Sequence, residues 1–117
     1  MRAISIGKVL TPAVKTTMYT IPTKYTGKWN LLHVTNGTPQ AKKVDAWWYD
    51  KSANLEIPVV FAYSVSAGGF LQFNGGAYVV LEEGDEIRVR IESGATDAGA
   101  IVTVELEPKL GGQFNGI

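Results

Sequence analysis

Apolar and polar residues alternate along much of this chain, most strictly in Ile87-Arg88-Val89-Arg90-Ile91-Glu92, where every second side chain is apolar. Successive side chains of an extended strand point to opposite faces, so such a run buries one face and exposes the other. Val89 is expected inside and Arg88 outside, so that an aspartate at 89 breaks the core while one at 88 leaves it nearly intact. The same device recurs from end to end. Candidate strands are Ile4 to Leu10, Thr17 to Ile21, Trp29 to Thr35, Val44 to Tyr49, Leu55 to Val65, Phe70 to Phe73 with Tyr78 to Leu81, Ile87 to Glu92, and Ile101 to Glu107. Turn-forming residues separate them at intervals of roughly 8–12 residues, which is the signature of a sandwich or barrel.

The breakers refine this picture. Pro12 interrupts pairing between the first two strands, and Asn36-Gly37 is a turn signal because both residues tolerate positive φ. Pro58 bends or splits its strand at a sheet edge, since proline cannot donate to a ladder. Asn74-Gly75-Gly76 links two short runs, and a charged Gly-Asp turn, Glu82-Glu83-Gly84-Asp85, leads into the strictest strand. The expected architecture is all-β: a single antiparallel β-sandwich, jelly-roll-like, of about eight strands with extended terminal arms. The sandwich takes in residues 1–107, including an N-terminal strand. Residues 108–117 form a glycine-rich C-terminal arm with three spaced apolar anchors, Leu110, Phe114 and Ile117.

Composition narrows the classes of function. A chain of 117 residues with 45% hydrophobic side chains suits one domain with a real core. Eleven basic residues balance eleven acidic ones, so no general attraction draws it to nucleic acid or to an anionic membrane surface. No stretch approaches the roughly 20 apolar residues that span a bilayer. Cysteine is absent, which excludes disulfide frameworks and thiolate-bound zinc.

Candidate chemistry is sparse. His33, the single histidine, lies on the Trp29/Leu31 side of its strand and is expected to be a hydrogen-bonded structural residue. No nucleophile elbow surrounds Ser64 or Ser66, and Gly68-Gly69 runs into apolar residues rather than a phosphate-binding lysine. Glu82, Glu83, Asp85 and Glu86 crowd one turn, where they are expected to be solvated charges. The chain is therefore expected to be non-enzymatic, with no catalytic residues, metal or cofactor. Trp47-Trp48-Tyr49 carries more weight: Trp47 and Tyr49 face one way and Trp48 the other, so one side packs the core. The other side is a candidate subunit interface or a sugar platform, given the enrichment of Trp and Tyr at binding hot spots.

Several segments together carry a resemblance. Met18-Tyr19-Thr20-Ile21-Pro22, Leu31-Leu32-His33-Val34-Thr35-Asn36, Val44-Asp45-Ala46-Trp47-Trp48-Tyr49-Asp50 and Tyr78 to Val89, with its Leu81-Glu82-Glu83-Gly84-Asp85, resemble small β-sandwich virion proteins of tailed bacteriophages. The likeness spans roughly Thr16 to Glu107. The Gly-Phe-Leu and Gly-Asp-Glu-Ile-Arg-Val-Arg segments also resemble trimeric jelly rolls of the tumour-necrosis-factor and complement-collagen type. The resemblance implies a capsid decoration (cement) protein at the capsid surface of the virion, homo-oligomeric with a trimer favoured, whose partner is the major capsid protein. A neck, tail or fibre-attachment component and a carbohydrate-binding module for host attachment are the alternatives. The interface candidates are Trp47, Trp48, Tyr49, Leu110, Phe114 and Ile117.

Overall fold

The computed structural model describes residues 2–109, and within them the backbone alone at 75–78. The anchors Leu110, Phe114 and Ile117 lie outside the described residues. Eight strands follow in chain order: β1 (Arg2–Val9), β2 (Thr16–Thr20), β3 (Tyr25–Thr35), β4 (Lys42–Asp50), β5 (Leu55–Val65), β6 (Phe70–Leu81), β7 (Glu86–Ile91) and β8 (Gly99–Pro108). They form two four-stranded sheets, ordered β1-β8-β3-β6 and β2-β7-β4-β5, with antiparallel neighbours throughout. Every connection except β4–β5 crosses from one sheet to the other, and this strand order is that of a double-sheet jelly roll. The N-terminal segment is an edge strand paired with β8, and the β8 ladder runs to Pro108 opposite Tyr25.

The core is built from rows of inward residues that continue across each sheet. In the first sheet Ile6, Val102, Leu32 and Phe73 are register partners, as are Ile4, Val104, Trp29 and Val79. In the second, Val89, Ala46 and Val60 form one row, and Ile87, Trp48 and Ile57 another. Trp29, Leu32, Val34, Val44, Ile87, Val89, Ile91, Val102 and Val104 are fully buried between them. The alternation of β7 and β8 is realised residue for residue, with burial switching at every step of Glu86–Ile91.

Three local features depart from simple alternation. In β3 both Trp29 and Leu32 are buried although they are three residues apart, because a bulge at Asn30 against β8 shifts the parity of the strand. His33 therefore shares its face with Leu31 but not with Trp29. The runs on either side of Asn74-Gly75-Gly76 both pair with β3, so they form the single strand β6 with a register shift rather than two strands joined by a turn. Asn36-Gly37 uses no left-handed backbone. Gly37 is required because a Cβ there would sit 2.6 Å from that of Asp97 in the loop before β8.

Edge strand β5 keeps Pro58 opposite Trp47 and carries two register irregularities, one of them around Ala62, whose φ is +50°. The Ala62 amide donates to Asp45 Oδ1 at 2.7 Å, which holds the bulge open. Proline at a sheet edge thus agrees with the sequence expectation, but the strand runs on through it.

Two buried polar side chains lock the ends of the sandwich. The Asn36 side-chain amide donates to the carbonyls of Gln40, Val65 and Ser66, and its oxygen accepts from the Thr38 amide. Asp85 is 1% exposed, which corrects its assignment to a solvated acidic turn. Its Oδ2 accepts from Trp48 Nε1 at 3.0 Å and from the Glu82 amide at 2.9 Å, and its Oδ1 from the Lys51 amide at 3.0 Å. Gly84, at φ +85°, lets the chain turn tightly enough to bring the carboxylate inward, and its amide and the Asp85 carbonyl both bond Ile21.

Candidate functional site

The two outer faces of the sandwich differ in kind. On the β2-β7-β4-β5 sheet the outward rows are Thr17–Arg88–Trp47–Pro58 and Thr20–Glu86–Tyr49–Glu56, joined by the pair Arg90–Asp45. Charges here are matched one against another. Arg88 bonds Glu56 and Glu86, each at 2.9 Å, Lys15 bonds Glu56 at 2.6 Å, and Arg90 bonds Asp45 at 2.9 Å. The cations also lie over the rings: Lys15 Nζ is 4.3 Å and the Arg90 guanidinium 5.1 Å from the Trp47 ring centre, and the Arg88 guanidinium is 4.1 Å from that of Tyr49. Cation–ring contact and ion pairing together engage these charges and rings with one another, while Phe61 of β5 stays 74% exposed.

The aromatic trio is thereby placed. Trp48 faces inward, packs on the core and bonds Asp85, while Trp47 and Tyr49 face outward as alternation requires. Trp47 is nevertheless only 7% exposed, with the Lys15 ammonium and the Arg90 guanidinium lying over its ring. This cover is not legible in the sequence, since Lys15 and Arg90 come from other segments.

Burial pushes the Glu56 carboxyl up, but hydrogen bonds and charge from Lys15 and Arg88 outweigh it and hold the group below its ordinary value. A carboxyl lowered in the folded state contributes stability above its unfolded value, and that stability is lost as pH falls through the folded one. Glu56→Gln is therefore expected to flatten the acid side of the stability profile, by no more than about 1 kcal/mol at this solvent-screened pair. Thermal melts between roughly pH 7 and pH 3 test this, and superimposable profiles of variant and wild type would refute it.

The β1-β8-β3-β6 sheet presents the outward rows Val9–Gly99–Thr35–Phe70, Gly7–Ile101–His33–Gln72, Ser5–Thr103–Leu31–Asn74 and Ala3–Glu105–Lys28–Val80, followed by the pair Glu107–Thr26. The first three rows contain no Lys, Arg, Asp or Glu; Lys28, Glu105 and Glu107 fall beyond them, at one end. Val9 is 84% exposed and Phe70 64%. The polar groups bond within the face: Ser5 to Thr103 at 2.8 Å, and His33 to Gln72 at 2.8 Å and to Thr35 at 3.2 Å. His33 also stacks on Phe70, with ring centres 5.0 Å apart, so the single histidine is a hydrogen-bonded structural residue as the sequence suggests. Among the described residues no group of three or more His, Asp or Glu is placed to hold a metal ion, and no buried side-chain polar atom lacks a partner. Sequence reasoning missed this uncharged face because its rows join residues up to about a hundred positions apart.

No protein-family model and no curated protein matches the chain. Among solved structures it is similar to the globular domain of a zebrafish complement 1qA protein, at 14% identity and TM-score 0.49, covering 88% of this chain and 94% of that one. It is also similar to a chain in the structure of infectious bursal disease virus, Gx strain, at 13% identity and TM-score 0.55, covering 98% of this chain and 34% of that one. A chain of the Gt strain matches at 11% identity and TM-score 0.40. This protein thus spans about a third of the viral chains, and at such identities the likeness to the Gx-strain chain is one of fold.

Proposed function

We propose that this protein is a non-enzymatic structural component of a bacteriophage particle, most simply a decoration protein that adds buried contact between subunits of the capsid shell. The observation that carries this is the commitment of its chemistry-bearing side chains to the scaffold. His33, Asp45, Asp85, Glu56, Glu86, Arg88 and Arg90 hold sheet and loops together, and what remains is broad strand surface on a rigid frame. A preorganised sandwich loses little conformational freedom on docking, so its buried surface converts efficiently into binding. The segments that resemble phage virion sandwiches support the same reading, as does the recurrence of the fold in a chain of a virus structure. The sugar-platform alternative loses support, since Trp47 is buried, Trp48 is turned inward and Tyr49 lies beneath Arg88.

Imaging intact particles that carry the protein by cryo-electron microscopy tests this. Copies repeated over the shell are expected. A ring confined to one vertex would move the assignment to the neck or tail, and absence from purified particles would overturn it.

A further inference from the structure

We infer that the free edge of β1 takes an extended segment of a different protein as an added strand. That segment carries two aliphatic residues two positions apart, with an acidic residue two positions beyond each. Such a site goes beyond the structural role, since it would be filled whether or not the protein sits on a particle.

The four sheet edges differ. β5 is broken at Pro58 and at the Ala62 kink, and β6 loses register between Asn74 and Val79. β2 has five residues with a shift between Thr17 and Tyr19, and the Lys8 ammonium occupies its Thr17 carbonyl at 2.8 Å. Of these edges β1 alone pairs without a break, from Arg2 opposite Leu106 to Val9 opposite Gly99. Kinks, prolines and short length are how native sheets refuse further strands, and β1 uses none of them. Its free backbone groups can be assigned. The Leu10 amide donates to the Ala98 carbonyl at 2.9 Å, and antiparallel pairs alternate between bonded and unbonded. Ile4, Ile6 and Lys8 therefore bond β8, while Ala3, Ser5 and Gly7 direct their amides and carbonyls away from it. No hydrogen bond among the described residues engages those outward groups.

The inward row of β1 sets the chemistry of the partner. It reads Arg2, Ile4, Ile6, Lys8, an aliphatic pair with a cation at each end. Ile4 and Ile6 pack on the core yet stay only partly buried, because no strand of their sheet lies beyond β1. Residues directly opposite on neighbouring strands share a face, so an added strand would set two aliphatic side chains against them. At the Arg2 end lies a hollow of about 360 Å³ lined by Ile4, Tyr19, Tyr25 and Leu106, with Arg2 its one charged lining residue. Arg2 makes no ion pair among the described residues. An acidic side chain opposite it would enter this hollow and pair there, and a second acid would meet Lys8. The same row argues against a second copy. Laying β1 antiparallel on β1 about Ser5 brings Arg2 against Lys8 at both ends, and like charges directly opposite are destabilising.

Fluorescence anisotropy of a fluorescein-labelled Gly-Glu-Thr-Val-Thr-Ile-Thr-Glu-Gly peptide, titrated with the full chain, tests this. Saturable binding with a Kd of about 1–100 μM is expected. Ser5→Pro removes an outward amide hydrogen at the centre of the edge and leaves the β8 ladder whole. It is expected to weaken binding at least about 10-fold with the circular dichroism spectrum retained, and Gly7→Pro stands in if it does not fold. Arg2→Glu, and a peptide with lysine in place of both glutamates, are each expected to weaken binding about 10-fold. Lys43→Gln, on the other sheet, is expected to bind as the wild type does. No saturable binding up to about 500 μM, a folded proline variant that binds unchanged, or equal binding of the lysine peptide would overturn the inference. A wild-type dimer that Ser5→Pro dissolves would give the edge to a second copy and overturn it too. None of these measurements involves particles, so absence from purified particles would strike the structural role and leave this edge site standing.

Discussion

Asp85→Ala is expected to remove about 3–5 kcal/mol of stability, a large part of what a domain of this size possesses. The carboxylate is 1% exposed and accepts three hydrogen bonds, from the Trp48 indole and from the Lys51 and Glu82 amides. These donors belong to three separate pieces of chain: the inward side of β4, the β4–β5 turn and the β6–β7 connection. Alanine leaves all three without their acceptor and opens a small void beside Trp48, and each orphaned donor costs about 1–3 kcal/mol. Asparagine keeps one acceptor oxygen but turns an amide nitrogen toward a donor, so Asp85→Asn is expected to lie between alanine and wild type. Urea unfolding monitored by tryptophan fluorescence measures both. An Asp85→Ala protein within about 1 kcal/mol of wild type would mean that the clamp does not tie the sheets.

Val89→Asp is expected to abolish cooperative unfolding. Val89 is fully buried, paired in register with Thr16 on one side and Ala46 on the other, and surrounded by the apolar core. The cluster around it is apolar, and burying a carboxyl group unpaired there exceeds the few kcal/mol that hold a small domain together. Arg88→Asp, one residue away, is the comparison. Alternation alone expects that change to be nearly silent, whereas the structure alters the expectation. Arg88 joins Glu56 to Glu86 and covers Tyr49, so an aspartate would gather three carboxylates around one ring, at a cost of about 1–2 kcal/mol. Calorimetry is expected to rank wild type above Arg88→Asp, and Arg88→Asp far above Val89→Asp. The reverse order of the two variants would mean that the faces of β7 are exchanged.

The fold was largely legible in the sequence because alternation is a local signal. Arg88/Val89 and Thr103/Val104 declare their faces from nearest neighbours alone, and Pro58 declares an edge by lacking an amide hydrogen. Features that depend on non-local pairing were hidden. The bulge at Asn30 shows only when β3 is laid against β8, and the unity of β6 only when both its halves are laid against β3. Asp85 reads as one more acidic turn residue until Trp48 and Lys51, more than thirty positions earlier, are brought to it. The candidate face was the least legible of all. Its neutrality is no property of any one strand, since Lys8 and Lys28 stand in β1 and β3, and it emerges only from the order β1-β8-β3-β6 and its register. The aromatic trio drew notice in sequence because it is contiguous, yet the contiguous group is the one the fold covers.

The irregular edge of β5 bears on what happens when many copies crowd together. An eleven-residue outer strand rich in Val, Ile and Phe is the kind of template on which further strands add without limit, giving fibres and precipitate. Pro58 removes one donor from that template, and the kink at Ala62, kept open by the Asp45 carboxylate, breaks its straight run. An incoming strand could match only a few residues before losing register. On the proposed reading, of copies docked over a closed shell, such a stop would keep strand addition from running past the assembly. In that sense one carboxylate on the outer face of β4 works as a solubility device, denying further strands a straight edge on which to add.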